Sequence, residues 1–188
     1  MLTPAPANTV AEAPAWARRA FEQQLLNIIP DMRAFARFLV RNPTDADDLV
    51  QDAVVRALKS SHQFDLGTNI KAWAFTILRN TRLNNIRSHR FEGLDEQGIE
   101  LVPAPANQLH CVELREVLAV LAKLAPVHRE VLTLVRASGF SYEEAAQIMQ
   151  CKLGTIKSRL NRADAALRTA LGSDFQPSSA SRHELYVD

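Results

Sequence analysis

Apolar positions recur along this chain at intervals of three and four and almost never alternate, a pattern that predicts helices throughout and no sheet. The first predicted helix covers about 16–29. Pro30 stands near the start of a second, about 31–40, whose core stripe is Met32, Phe35, Ala36 and Leu39. Arg41-Asn42-Pro43 reads as a turn. Thr44 with Asp47 caps a third helix with apolar positions Ala46, Leu49, Val50, Ala53, Ala57 and Leu58. After a loop from Phe64 to Asn69, Thr68 or Asn69 caps a long helix from Ile70 to about Arg90. Its stripe is Ile70, Trp73, Ala74, Ile77 and Leu78. The period lapses over 91–109, a stretch with four acids, no bases, two glycines and two prolines, which reads as a linker. It resumes near His110 with Val112, Leu114, Val117, Leu118, Leu121 and Leu124. Pro126 then suits the first turn of a helix carrying Val131, Leu132 and Val135.

The most informative stretch follows, from Phe140 to Ala163. Gly139 breaks the preceding helix, and Ser141 with Glu144 has the spacing of a capping box. Ala145, Ala146, Ile148 and Met149 give the new helix a small inner face. Gln150 to Gly154 is a turn, and Thr155 caps a second helix with Ile156, Leu160 and Ala163 on one side. Its other side carries Lys157, Ser158, Arg159, Asn161 and Arg162, donors that reach phosphates and base edges in a major groove. Two short helices of this kind predict a helix-turn-helix with the second as reader, against an ordinary solvated helical hairpin. The expected architecture is all-α: two small helical domains, 16–90 and 110–171, joined by the acidic linker 91–109. A disordered Ala/Pro-rich tail over 1–15 and a polar tail over 172–188 flank them.

Charge sharpens this picture. The net charge is only +1 over 188 residues, yet the charges are segregated. Lys71, Arg79, Arg82, Arg87 and Arg90 lie in a span without acids, and Lys152, Lys157, Arg159, Arg162 and Arg168 are opposed by Asp164 alone. Asp45, Asp48 and Asp52, by contrast, share a helix face that meets no base until Arg56. Two basic surfaces and one acidic one imply two kinds of partner. Trp73 and Phe75 beside arginines and asparagines supply planes and donors for a single strand, unless both rings are core. Cys111 and Cys151 are isolated and the five histidines scattered, so no catalytic group, metal or cofactor is expected. No apolar run is long enough to cross a membrane, and the N-terminus lacks the form of a secretory signal, which points to a cytoplasmic chain without membrane insertion.

The segments DADDLVQDAVVRAL, GTNIKAWAFTILRNTRLNNIR, HREVLTLVRASGFSYEEAAQI and GTIKSRLNRA, in this order around an acidic linker, resemble bacterial sigma factors of the sigma-70 family. The likeness covers roughly 20–170 and is to the small two-domain extracytoplasmic-function group. GTNIKAWAFTILRN and SGFSYEEAAQI most resemble its EcfG-type general stress response members. The resemblance implies that residues 16–90 form sigma region 2. Asp45, Asp48, Gln51 and Asp52 would lie on the clamp of the RNA polymerase largest subunit. The loop Asp65–Asn69, with Thr68, and the helix bearing Lys71, Trp73, Arg79, Asn80 and Arg82 would open the promoter −10 element and hold an unpaired base. Residues 110–171 would be region 4, on the polymerase flap, reading the −35 element with Thr155, Lys157, Ser158, Arg159, Asn161 and Arg162. The linker would thread towards the RNA exit path. The resemblance further implies a transcription-initiation subunit without catalysis, nucleoid-associated when bound to polymerase and held inactive by an anti-sigma protein. A helix-turn-helix repressor or response-regulator output protein is the alternative. It accounts for 126–168 but gives the acidic helix and the long basic helix no task. A nucleic-acid enzyme fails for want of clustered catalytic groups. Family members usually have Gly where this chain has Gln150, so a left-handed backbone there would carry strain.

Overall fold

The computed structural model describes residues 10, 14–40, 42–91, 121 and 123–171. Of the 1–15 tail only Val10, Pro14 and Ala15 are described, with Val10 buried and Ala15 opening the first helix. Phe91 of the expected linker ends a helix. The 172–188 tail, residues 92–109 and the stripe from Val112 to Leu118 lie outside the described residues. Among the described residues the regular elements are helices: α1 (Ala15–Leu39), α2 (Pro43–Lys59), α3 (Ile70–Phe91), α4 (Pro126–Leu132), α5 (Tyr142–Met149) and α6 (Leu153–Leu171). A short 3-10 turn, Ser61–Gln63, follows α2, and a π-helical turn, Thr133–Ala137, extends α4. The chain divides into two compact units, the first holding α1–α3, the second α4, most of α5 and α6.

In the first unit the three helices pack pairwise on one another. Leu25, Met32, Phe35, Phe75 and Leu78 are its largest fully buried apolar side chains, and Phe35 stacks on Phe75 with centroids 5.0 Å apart. Burial of each such side chain contributes about 1.5–3 kcal/mol. The two helices expected over 16–40 are one: α1 runs straight through Pro30. Proline removes one hydrogen bond, to the carbonyl of Leu26, and both residues are exposed, so water can solvate the freed oxygen. Buried Leu25 and Met32 on either side of it hold both halves to the same core.

The cap of α2 is Asn42, not Thr44: the Asn42 side chain accepts from the Thr44 N–H at 2.9 Å, and Pro43 takes the first turn, where a missing N–H costs nothing. Leu58, expected inside, is 45% exposed. Asn69 caps α3, its Oδ1 accepting from the N–H groups of Lys71 (3.0 Å) and Ala72 (3.3 Å).

In the second unit α4 packs against α6. Pro126 sits in the first turn of α4, and Gly139 ends the segment at φ +74°, a backbone that glycine adopts without strain. Sequence reading missed the role of Arg129. It is buried, its Nε donating to the Leu121 carbonyl at 2.9 Å and its Nη2 to that of Leu124 at 3.1 Å. There it satisfies carbonyls at the end of the preceding helical turn.

Candidate nucleic-acid and protein interfaces

The acidic face on α2 is intact. Asp45, Asp48, Gln51 and Asp52 are all exposed, and among the described residues none of the three aspartates is paired with a base. Asp47, on the flank, pairs with Arg33 at 3.4 Å. Exposed Val55 and Leu58 continue the same helix one and two turns on. An unpaired row of carboxylates edged by apolar groups suits a basic protein surface better than DNA.

The loop before α3 is organised by its own polar groups. Thr68 Oγ1 donates to the Asp65 carbonyl at 2.8 Å, and Gly67 takes φ +107°. Asp65, Thr68 and Asn69 are exposed. Beside this loop lies an open cleft of about 410 Å³, lined by Phe64, Leu66, Gly67 and Thr68 and by the start of α1. Along α3, Lys71, Trp73, Arg79, Asn80 and Arg82 are half-buried. Lys71 Nζ lies 2.7 Å from Asp31, and Arg82 Nε donates to the Leu39 carbonyl at 3.1 Å, so both also tie α3 to α1. Phe75 is wholly core and offers no stacking surface. Trp73 joins a cluster with Phe21 (centroids 5.9 Å) and Phe64 (5.2 Å), so it backs the loop from inside.

The capping box at α5 is reciprocal: Ser141 N–H donates to Glu144 Oε2 at 2.9 Å and Glu144 N–H to Ser141 Oγ at 3.1 Å. At the other end Cys151 N–H donates to the Ala146 carbonyl (3.0 Å) and Gln150 N–H to that of Gln147 (3.1 Å). This is a Schellman turn with Gln150 at its left-handed position, φ +50°. The second helix begins at Leu153, earlier than expected. The Lys152 carbonyl accepts from Thr155 N–H at 2.8 Å, which puts Thr155 inside the first turn and removes it as the cap.

Ile156, Leu160 and Ala163 are buried as the periodicity requires. Lys157, Ser158, Asn161 and Arg162 are exposed, while Arg159 is half-buried on the flank, its Nη1 4.0 Å from Cys151 Sγ. Asp164 is buried, contrary to its reading as a surface acid. Its Oδ2 accepts from Arg136 Nη2 at 3.2 Å, which fastens α6 to the π-helical turn, and Oδ1 accepts no hydrogen bond among the described residues. Because Gln150 is exposed and left-handed, Gln150→Gly should relieve strain and raise stability by up to about 1 kcal/mol, read as a higher midpoint in thermal unfolding.

Comparison with known proteins places both units. The description "Sigma-70 region 2" matches residues 26–92, and "Sigma-70, region 4" matches 114–167. The chain is 43% identical to the ECF RNA polymerase sigma factor EcfG of Rhodopseudomonas palustris, over 87% of this chain and 93% of that one. It is similar to the sigma factor RpoE crystallised with the anti-sigma factor NepR from Bartonella quintana, with a TM-score of 0.72 and 39% identity, covering 84% of this chain and 99% of the other. It is also similar to CnrH in complex with the cytosolic domain of CnrY, with a TM-score of 0.62 and 29% identity over 88% and 94% of the two chains.

Proposed function

Since the chain belongs to the extracytoplasmic-function group of the sigma-70 family, we propose that it binds RNA polymerase core and directs promoter-specific initiation by the following division of labour. Asp45, Asp48, Gln51 and Asp52 dock α2 on the clamp of the polymerase largest subunit. The Asp65–Asn69 loop, with Lys71, Trp73, Arg79, Asn80 and Arg82, opens the −10 element and holds an unpaired base. Trp73 acts there as the support of the loop and Asn69 as the cap that sets the start of α3. Residues 110–171 sit on the flap and read the −35 element. The acidic linker follows the RNA path, and the core supplies all of the chemistry. Such a protein works in the cytoplasm, on the nucleoid when bound to polymerase, and none of the described helices is long and apolar enough to cross a membrane.

The observation that carries this reading is the unpaired acidic row on α2, in a chain whose α6 presents the opposite charge. A repressor needs only the second of these surfaces. Likeness to sigma factors solved with NepR and CnrY supports control by an anti-sigma protein, and likeness to EcfG supports a role in a stress response. The test is gel filtration of the purified chain with core polymerase, beside a mobility-shift assay on duplex DNA without it. Co-elution with core and a weak shift support the proposal. A strong, sequence-selective shift without core, and no co-elution, favours a repressor.

Within α6 the outward residues Ser158, Asn161 and Arg162 are placed to meet base edges, with Thr155 and Lys157 nearer the backbone phosphates. Of the two arginines, Arg159 is half-buried against Cys151 and Arg162 is exposed, which favours Arg162 for base contact. Arg162→Ala is expected to cost about 1–3 kcal/mol at one position of the −35 element and to relax sequence choice there. Arg159→Ala should weaken binding with the preference retained. Holoenzyme binding to a set of single-base −35 variants measures both.

A further inference from the structure

The region 2 match begins at residue 26, yet one wall of the cleft beside the loop comes from residues before it: Trp16, Ala17, Ala20, Phe21 and Gln24 of α1. Trp16 is 73% exposed, more than any other large apolar side chain among the described residues. Arg18 and Arg19 beside it are exposed, and the first turn of α1 contains no acid. Arg19, three residues on, is the neighbour of Trp16 on the helix surface. The facing wall is Leu66, Gly67 and Thr68, and a Cβ placed on Gly67 would meet nothing within 4 Å, so this side is open. Trp73 is engaged with Phe21 and Phe64, which leaves Trp16 as the aromatic plane available at the cleft mouth.

A free aromatic plane, a guanidinium beside it and a cleft with peptide and hydroxyl edges are what binding of a single strand requires. We infer that the first turns of α1 form a further single-strand contact. Trp16 stacks on an unpaired base of the displaced promoter strand at the mouth of the cleft, and Arg19 holds a neighbouring phosphate. The inference rests on the sigma reading of region 2 and adds a surface upstream of the matched region. An apolar helix from a protein partner is the competing occupant. The basic flanks, Arg18 and Arg19, and the peptide and hydroxyl edges of the Gly67–Thr68 wall favour the nucleotide.

The test uses holoenzyme assembled from core polymerase and the full chain. The probe is a fork-junction DNA built on a promoter that this holoenzyme transcribes, with 2-aminopurine at each single-stranded −10 position in turn. Stacking on Trp16 should quench the fluorophore several-fold at one position. Trp16→Ala should abolish that quenching and lower fork affinity about tenfold, and Trp16→Phe should restore most of both. Arg19→Ala should weaken fork binding and make it less salt-dependent, without removing the quench. If Trp16→Ala keeps the quench and the affinity while Asn80→Ala weakens fork binding, the inference is overturned and the region 2 reading stands. If Trp16→Ala leaves the fork unaffected but loses binding to a protein partner, the surface is a protein contact and the inference is overturned. If neither variant changes fork binding, the region 2 reading fails with it.

Discussion

Lysine at both Asp48 and Asp52 is expected to weaken binding to core polymerase on the order of 100-fold. Both carboxylates are exposed and, among the described residues, unpaired, so the double charge reversal breaks no internal contact and should leave the fold intact. At the interface it sets like charges against one another, which costs several kcal/mol. Raising the salt should narrow the gap between variant and wild type, because exposed charges are screened over about 8–10 Å at moderate ionic strength. Asp47→Lys is a useful contrast, since that carboxylate pairs with Arg33 on the flank and should matter less to core binding. Titration of core with fluorescently labelled chain gives the affinities, and circular dichroism verifies folding. Equal affinity of the folded double variant and the wild type would remove α2 as the docking face.

The second large effect is expected at promoter opening. Asn80→Ala should depress transcription from a duplex promoter tenfold or more, since a melted strand must be stabilised against unstacking worth a few kcal/mol per step. A template with a pre-melted bubble should restore part of this activity, because the opening cost has been removed. The same template should do little for Arg162→Ala, whose contact is proposed in intact duplex upstream. Asn69 needs a more careful substitution. Its side chain caps α3, so Asn69→Ala also costs about 1 kcal/mol of stability, whereas Asn69→Ser keeps a capping oxygen and isolates any role in DNA binding. Run-off transcription on both templates measures the set. Rescue of Arg162→Ala equal to that of Asn80→Ala would contradict the proposed division.

Much of this was legible before any coordinates. Helical period placed the core of α2 apart from Leu58, and Ile156, Leu160 and Ala163 of α6, because burial on one side of a helix leaves a spacing that survives in sequence. In α3 it found Ile70, Ala74 and Leu78 but missed buried Ala72, Phe75 and Thr81. The Ser141/Glu144 box and the break at Gly139 were equally plain, since local backbone chemistry dictates both. What escaped depends on tertiary surroundings. Pro30 reads as a boundary until buried residues on both sides hold it inside one helix. Nothing in the spacing marks Arg129 or Asp164 as buried; the carbonyls of Leu121 and Leu124 for the first, and Arg136 for the second, make them so. Phe75, read as a stacking plane unless core, is core for the same reason. The core claims Phe75 through Phe35, while Trp16 at the first turn of α1 is left exposed. The proposed DNA-contacting roles were the least legible, because side chains such as Lys71 and Arg82 make structural contacts that the sequence does not reveal.

The central claim, a sigma subunit that turns core polymerase into a promoter-specific enzyme, is tested most directly by run-off transcription on duplex genomic fragments. Reactions contain core alone, the chain alone, or both. With both present, discrete transcripts should start from a small set of sites sharing −35 and −10 elements, and Asp48→Lys/Asp52→Lys should abolish them. No start sites beyond those of core alone, together with selective binding of duplex DNA by the isolated chain, would contradict it.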